Sequence, residues 1–147
     1  MAPNGIRDPQ LKAMNILVDS SALIHAAGRG LNIQLLLEEA LQRPFRLCIT
    51  TQIAEELARL ENTAKGKLKL RAMLARKLSE KYTLLEVSSK EADESIMEAC
   101  VSIPYTYPLT DDLPLRTRLR KIGVTPLYLT RSGRIASNRI QPILDQT

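Results

Sequence analysis

Acidic residues follow four apolar segments of this sequence that have the character of buried strands. The first of them, at residues 14–18, is a short apolar run without alternation, which is typical of a strand covered on both faces of a parallel sheet. Because ligand sites in such sheets form at the carboxyl ends of the strands, we expect these acids to meet at one edge. They are Asp19, Glu55 and Glu56, Asp93 and Glu94, and Asp111 and Asp112.

Helical periodicity separates the members of two acidic pairs. At about 100° per residue, Glu56 lies close to the apolar face of its predicted helix, whereas Glu55 points to the opposite side. On the next helix, Asp93 borders the apolar face and Glu94 points to solvent. Acids in the first turn often only complement the helix dipole, which is an alternative interpretation for Asp93, Glu94 and Asp111. Glu56 is not explained in this way, since an acid beside an apolar face needs a partner or a proton.

Four converging carboxylates with no basic residue among them would repel one another unless a cation lay between them. A site made only of oxygen ligands suits Mg²⁺ or Mn²⁺, which we expect as the cofactor. Two such ions could activate water and stabilise the leaving oxygen of a phosphodiester. A zinc site is not expected, because the sequence has one histidine, His25, and no cysteine–histidine cluster. Cys48 and Cys100 each lie in an apolar segment, where we expect free thiols.

Basic residues are concentrated in two stretches. Residues 63–81 contain seven basic residues and one acid, and residues 113–140 contain seven basic residues and no acid. The whole chain has a formal net charge of +5, so the rest of it is net acidic. Either stretch alone is better explained as a solvated helix face. The combination with an acidic metal site is what a nuclease requires, because lysine and arginine neutralise backbone phosphates.

Strands and helices alternate with short connections, which predicts a three-layer α/β fold with a central, mostly parallel five-stranded sheet. The predicted strands cover residues 14–18, 46–50, 83–87, 105–109 and 124–129. The predicted helices cover residues 21–27, 31–42, 52–61, a basic segment after residue 62, 89–102 and 110–122. Residues 1–134 are expected to form one domain, followed by a C-terminal tail at 135–147.

Local signals add detail to these elements. Gly28 and Gly30 predict a break after the first helix. Ser88 and Glu91 have the spacing of a capping box, and Pro126 favours an edge position for the last strand. The apolar residues expected to turn the basic helix toward the core are Leu68, Leu70, Met73, Leu74 and Leu78.

The composition is that of a globular domain, with 44% apolar and 25% charged residues among 147. No apolar run approaches the roughly 18 residues that a membrane span needs, and residues 1–8 lack the pattern of a signal sequence. We therefore expect a cytoplasmic protein without a membrane partner.

Five short motifs, taken together, resemble the PIN domain family. They extend from about residue 14 to residue 134, which is nearly the whole chain. The sequence is most similar to stand-alone archaeal PIN proteins akin to the nucleases that process ribosomal RNA, and the PIN toxins are more distant. The motifs are Ile-Leu-Val-Asp-Ser-Ser-Ala-Leu-Ile at 16–24, Glu-Glu-Leu-Ala-Arg-Leu at 55–60, Ala-Asp-Glu-Ser-Ile at 92–96, Thr-Asp-Asp-Leu-Pro-Leu-Arg-Thr-Arg-Leu-Arg at 110–120 and Gly-Val-Thr-Pro-Leu-Tyr-Leu at 123–129.

The resemblance implies a Mg²⁺- or Mn²⁺-dependent endoribonuclease that acts on single-stranded or structured RNA, with ribosomal precursor RNA as one candidate. The implied catalytic acids are Asp19, Glu56, Asp93 and Asp112. The metal ligands are expected among Asp19, Asp93, Asp112, Glu94 and Asp111. The residues expected to contact RNA are Ser20, Thr110, Arg116, Arg120, Lys121, Lys65 and Lys67.

Two positions depart from the family pattern. Ser21 stands where many members have Asn, and Asp111 stands where relatives of this branch often have Asn. Because some members have degraded sites, a non-catalytic RNA-binding or ribosome-assembly protein is an alternative, as is a toxin-type PIN ribonuclease. A phosphatase of the haloacid dehalogenase type would need an acid at the position of Ser21. His25 is interpreted as a packed or capping residue, and a homodimer or a regulatory protein partner is also possible.

Overall fold

The computed structural model of the protein describes residues 12–137, in which strands and helices alternate as the sequence predicts. The strands are β1 (Met14–Val18), β2 (Phe45–Thr50), β3 (Thr83–Leu85), β4 (Thr106–Leu109), β5 (Leu127–Leu129) and β6 (Ile135–Ser137). The helices are α1 (Ser20–Arg29), α2 (Ile33–Leu41), α3 (Thr51–Thr63), α4 (Gly66–Ser79), α5 (Ala92–Ser102) and α6 (Leu113–Lys121). The predicted α/β class, a mostly parallel sheet flanked by helices, is confirmed.

Strand β1 lies inside a six-stranded sheet with the order β3-β2-β1-β4-β5-β6. All five residues of β1 are buried, which is why four of them are apolar, and the polar Asn15 donates a hydrogen bond to the hydroxyl of Thr106 in β4. Ile16 lies opposite Leu47 of β2 and Tyr107 of β4, and both pairings are parallel. Because the chain passes to β2 on one side of β1 and later to β4 on the other, the carboxyl end of β1 is a topological switch point.

The sheet has six strands rather than the five predicted from the sequence. The sixth strand, β6, pairs antiparallel with β5, and Leu127 lies opposite Ser137. Three residues are too few to reveal a strand by periodicity. Since β5 lies between β4 and β6, the edge position expected from Pro126 is wrong, and the proline is tolerated because it precedes the strand. Strand β6 takes up the first residues of the predicted tail, and residues 138–147 lie outside the described part.

Helix α1 continues beyond the break expected for it. It passes through Gly28 and ends at Gly30, which adopts the left-handed conformation with φ of 66°. A Cβ atom at position 28 would lie 2.6 Å from Nε of Arg71 on α4. Gly28 therefore allows two helices to pack closely, and only Gly30 ends the helix.

The capping box expected at Ser88 and Glu91 does not form. Helix α5 begins at Ala92, and the side chain of Glu91 makes no capping hydrogen bond. The backbone N–H groups of Ser88 and Ser89 donate instead to the carboxylate of Glu98, over 3.1 and 3.0 Å. An acid farther along the helix takes the place of the expected capping partner, and the helix begins at residue 92 rather than at residue 89.

The basic helix α4 packs on a different face from the one predicted. Its buried residues are Ala72, Ala75 and Ser79. Small side chains let α4 cross α1 and α3 at short range, so close packing rather than hydrophobicity selects the buried face. The leucines expected in the core are exposed; they are Leu68, Leu70, Leu74 and Leu78.

One cluster of buried apolar residues connects β1 with α1, α2, α3, α5 and α6. Cys48 and Cys100 are free thiols, and burial raises their pKa values to about 11 and about 12. Within residues 12–137, none of the helices is long and apolar enough to cross a membrane.

Two leucine truncations test the assignment of core and surface. The fully buried Leu57 of α3 should lose about 2–5 kcal/mol of unfolding free energy on Leu57→Ala, since the change leaves a cavity. Leu70→Ala on the exposed face of α4 should cost less than about 1 kcal/mol. Urea denaturation followed by circular dichroism measures both, and comparable losses would contradict the observed packing of α4.

Candidate active site

Asp19 immediately follows β1 at the topological switch point. Its backbone N–H donates to the carbonyl of Leu109 in β4 over 2.9 Å, and the residue is only 3% exposed. Its carboxylate Oδ2 accepts hydrogen bonds from the hydroxyls of Ser21, at 2.7 Å, and Thr110, at 2.8 Å. These contacts join α1 and the segment after β4 around one buried carboxylate.

Burial raises the pKa of Asp19 from its usual 3.8 to about 6, although the hydrogen bonds from Ser21 and Thr110 favour the charged form. The negative charges of Glu56 and Asp93 raise it further. A buried carboxylate with acidic neighbours is costly to ionise, and a cation in its vicinity would remove that cost.

Glu56 and Asp93 approach Asp19 from two different helices. Glu56, in the second turn of α3, accepts a hydrogen bond at Oε1 from the hydroxyl of Ser20 over 2.7 Å. Asp93, in the first turn of α5, has a raised pKa because of partial burial and then because of the charges of Asp112 and Glu56. The acids therefore converge closely enough to influence one another.

Asp112 is the N-cap of α6, and local hydrogen bonds fix its position. Its carboxylate accepts a hydrogen bond from the backbone N–H of Leu115 over 3.1 Å and so caps the helix. Its own N–H donates to the hydroxyl oxygen of Thr110 over 3.1 Å. Because the Thr110 hydroxyl also donates to Asp19, one buried threonine, two residues before Asp112, connects two acids.

A basic residue lies among these acids, which the sequence did not lead us to expect. Arg118 of α6 pairs with Asp93 (Nη1 to Oδ2, 3.8 Å) and with Glu94 (Nη2 to Oε2, 2.9 Å). Its hydrogen bond lowers the pKa of Glu94, and its charge partly offsets the raised pKa of Asp93. The sequence could have indicated this position of Arg118, because it stands one turn after the buried Leu115 and so borders the inward face of α6.

The two carboxylate oxygens of Asp111 are engaged by other groups. Oδ1 accepts a hydrogen bond from the backbone N–H of Leu129 over 2.9 Å, and Oδ2 lies 2.5 Å from Nδ1 of His25. Asp111 thereby fastens α1 and β5 to the segment that carries Asp112. We therefore leave Asp111 out of the ligand set that we propose below, and His25 serves as its hydrogen-bonding partner.

The acidic side chains suit a metal ion by the type of their donor atoms, not by their present arrangement. Among residues 12–137, no three Asp, Glu, His or Cys side chains stand together as a group that could hold an ion. Each acid is instead held by a protein donor: Asp19 by Thr110, Glu56 by Ser20 and Asp93 by Arg118. Carboxylate oxygens suit Mg²⁺ or Mn²⁺, so the residues fit such an ion chemically, and joint binding would require side chains to rotate.

Two of the polar residues expected to contact RNA instead hold the acids. Ser20 and Thr110 are buried, and their hydroxyls donate to Glu56 and Asp19. Three others, Arg116, Arg120 and Lys121, lie on α6, and the guanidinium of Arg116 stacks 4.2 Å from the ring centre of Tyr128.

Lys65 and Lys67 lie at the start of α4, after the end of α3. Because α3 begins at the carboxyl end of β2, it carries the chain away from the acids. Lys65 precedes the first residue of α4 and Lys67 is its second residue, so neither shares a helix with the acids. The path that we propose for RNA below follows α6 instead.

Two curated relatives are archaeal ribonucleases. The chain is 30% identical over 118 residues to Ribonuclease VapC4 of Methanocaldococcus jannaschii, and the alignment covers 79% of this chain and 89% of the relative. It is 33% identical over 95 residues to Ribonuclease VapC9 of Archaeoglobus fulgidus, covering 61% of this chain and 65% of the relative. The match thus spans just under two thirds of the second relative.

The fold is similar to that in a structure described as the PIN domain endonuclease Utp24. The TM-score is 0.70, the match covers 86% of this chain and 92% of that one, and the sequence identity is 18%. At this identity the similarity establishes the fold alone. The sequence profile described as a PIN-like domain matches residues 16–132, a range that contains all the acids discussed above. The resemblance inferred from the motifs is confirmed, and the chain belongs to the PIN-like domain family.

Proposed function

We propose that the protein is a Mg²⁺- or Mn²⁺-dependent endoribonuclease with Asp19, Glu56, Asp93 and Asp112 as its catalytic acids. The observation that carries the proposal is the buried Asp19 carboxylate, whose pKa is raised to about 6 by burial and by acidic neighbours. Such an arrangement is costly unless it is used to bind a cation. The ribonuclease names of the two archaeal relatives support the reaction class.

Asp19, Asp93 and Asp112 would hold the ion, and Glu94 would lie beside it. When bound, the ion would activate water and stabilise the leaving oxygen of the phosphodiester. Glu56, whose Oε1 is fixed by the hydroxyl of Ser20, would orient water at the edge of the cluster. Ser21 and Thr110 keep the Asp19 carboxylate in one orientation, and the side chains of the other acids would rotate toward it to reach the ion.

The RNA backbone would lie along α6. Arg116, Arg120 and Lys121 are on this helix, and Asp112 is its N-cap, so the last cation is about 14 Å from that acid along the axis. When RNA binds, Arg118 would leave its ion pairs with Asp93 and Glu94 and pair with a phosphate of the substrate. RNA binding should weaken steeply with salt, because each phosphate contact releases counterions. Ribosomal precursor RNA is the substrate to test first, beside unrelated single strands and hairpins.

Substitution of the acids tests the proposed chemistry. Asp19→Asn and Asp112→Asn should each lower the rate of RNA cleavage at least about a hundredfold, because each removes a charge that the ion requires. Cleavage of labelled single-stranded and hairpin RNA is followed with Mg²⁺, with Mn²⁺ and with chelator. The matched control is Glu55→Gln, since Glu55 is exposed beside Glu56 and should leave the rate unchanged.

Two results would count against this function. Cleavage by Asp19→Asn at the rate of the unmodified protein would remove the mechanism. RNA binding by the unmodified protein without cleavage in either metal would favour the non-catalytic RNA-binding alternative.

Because Asp19 is costly to ionise, the difference in unfolding free energy between Asp19→Asn and the unmodified protein should depend on pH. The folded-state pKa of about 6 lies above the usual 3.8, so the cost of ionisation is absent below about pH 3.8, grows as the pH rises to about 6 and is fully present above that. Asp19→Asn should therefore be more stable than the unmodified protein by about 2–3 kcal/mol at pH 8, with no gain at pH 4. Denaturant titrations at both pH values measure the difference, and a variant that is less stable at both would refute the assigned cause.

Arg118 should have opposite effects on the affinity of the protein for Mn²⁺ and on its affinity for RNA. Arg118→Gln removes a cation beside Asp93 and Glu94, so Mn²⁺ should bind roughly threefold to tenfold more tightly. The same change should weaken binding of single-stranded RNA by a similar factor, since a phosphate contact is lost. Electron paramagnetic resonance of free Mn²⁺ and fluorescence anisotropy of labelled RNA give the two affinities. Arg120→Gln is the control for Mn²⁺ binding only, because Arg120 is a cation of the same helix that pairs with no acid among the described residues. Weaker Mn²⁺ binding by Arg118→Gln would contradict the proposed exchange.

A further inference from the structure

The polar residue of the central strand β1 holds the loop that precedes β4. The backbone N–H of Asn15 donates to the carbonyl of Tyr105 over 2.7 Å. The side-chain Nδ2 of Asn15 donates to the carbonyl of Pro104, at 3.4 Å, and to the hydroxyl of Thr106, at 3.3 Å. A buried amide therefore fixes three consecutive residues at the amino end of β4.

Tyr105, in the middle of that loop, has a backbone conformation that is costly for its side chain. Its φ of 60° lies in the left-handed region, which bulky residues rarely adopt. The residue is 49% exposed, so packing in the core does not explain why an aromatic ring stands here. Glycine or asparagine would suit this backbone better. Because strained residues cluster where proteins bind ligands, the conformation points to a use of the ring at the surface.

Tyr105 lines a cleft between the ends of α5 and α6. The cleft has a volume of about 270 Å³, and its walls are formed by residues 100–101, 103–107 and 123–125. No acidic residue is among them. Pockets for drug-sized ligands have volumes of roughly 300–1,000 Å³, so this cleft suits one flat ring system rather than a whole cofactor.

The last turn of α6 places two cations beside the cleft. Arg120 and Lys121 are exposed, and within residues 12–137 neither pairs with an acid. Gly123, with φ of 85°, turns the chain after the helix and is itself part of the cleft wall. An aromatic ring beside cations is the combination that binds single-stranded nucleic acid, because phosphates meet the cations and a base stacks on the ring.

Helix α6 connects the acidic cluster with the cleft. It follows β4 and precedes β5, and these two strands are parallel, so the helix returns the chain from the carboxyl edge of the sheet to the amino edge. Asp112 is at its start, and Lys121 is at its end, two residues before the cleft wall. A strand of RNA that follows α6 from the acids would therefore reach the cleft.

We propose that the cleft binds one base of single-stranded RNA, which stacks on the ring of Tyr105 while Arg120 and Lys121 hold the adjacent phosphates. The proposal rests on the proposed ribonuclease function, because it places this base a few nucleotides from the bond that is cut. It also gives the substrate class, since the bases of a duplex stack on one another and do not enter such a cleft.

Two RNA ligands separate stacking from charge. The first is a fluorescein-labelled single-stranded RNA of about 12 nucleotides. The second has the same length and the same phosphates, but every nucleotide is abasic. Binding to the full chain is measured by fluorescence anisotropy with chelator present, so that the RNA stays intact.

Variants of Tyr105 test the stacking contact. Tyr105→Asn should weaken binding of the ordinary RNA roughly tenfold, since one stacked base is lost, and should not change binding of the abasic ligand. Tyr105→Phe keeps the ring and should restore the affinity. Lys121→Gln should weaken binding of both ligands by a similar factor, because it removes a phosphate contact.

A purely structural role of the ring makes a different prediction. Asparagine tolerates the left-handed conformation, so the melting temperature of Tyr105→Asn should not fall. In cleavage of the same RNA with Mn²⁺, Tyr105→Asn should raise KM roughly tenfold with little change in kcat, because a remote base is held equally before and during the reaction. A lower kcat at constant KM would contradict a remote binding site.

The outcomes distinguish this proposal from the ribonuclease function. Equal binding of the ordinary RNA by Tyr105→Asn and by the unmodified protein would remove the base site and leave the function standing. Absence of cleavage in either metal, with binding that still depends on Tyr105, would remove the function and support the base site. Concentration-dependent association in analytical ultracentrifugation that Tyr105→Asn abolishes would overturn the proposal by assigning the ring to a second copy.

Discussion

The cost of burying the Asp19 carboxylate beside other acids, at the carboxyl end of β1, is the constraint on which the candidate site depends. The Asp19 carboxylate is buried, and the charges of Glu56 and Asp93 add to the rise in its pKa. The protein limits the cost with hydroxyl donors on Asp19 and with Arg118 beside Asp93. These donors hold the acids in fixed orientations but leave a net negative cluster, which is the condition that favours a divalent cation.

The fold produces this cluster because β1 is central and parallel to both of its neighbours. Its carboxyl end is where the chain turns to opposite sides of the sheet, so segments that are distant in sequence meet at Asp19. The hydroxyl of Thr110 holds these segments together, because it donates a hydrogen bond to Asp19 and accepts one from the N–H of Asp112. The geometry therefore depends on a buried hydroxyl as much as on the acids.

The positions of the acids could be predicted because strand ends and helical phase are local properties of a sequence. Glu56 is half-buried and Glu55 exposed, as periodicity indicates. The packing of α4 could not be predicted, since its buried face is chosen by the fit of Ala72 and Ala75 against neighbouring helices and not by apolar content. Likewise, the ion pairs of Arg118 link residues 24 or more positions apart, and β6 is too short to show a period.

Calorimetric titration of Mn²⁺ into the protein at pH 7.5 tests the central claim most directly, with Asp19→Asn and Glu55→Gln measured in parallel. We expect saturable binding by the unmodified protein and by Glu55→Gln, and loss of that binding in Asp19→Asn. Saturable binding that is unchanged in Asp19→Asn, or no binding to the unmodified protein, would contradict it.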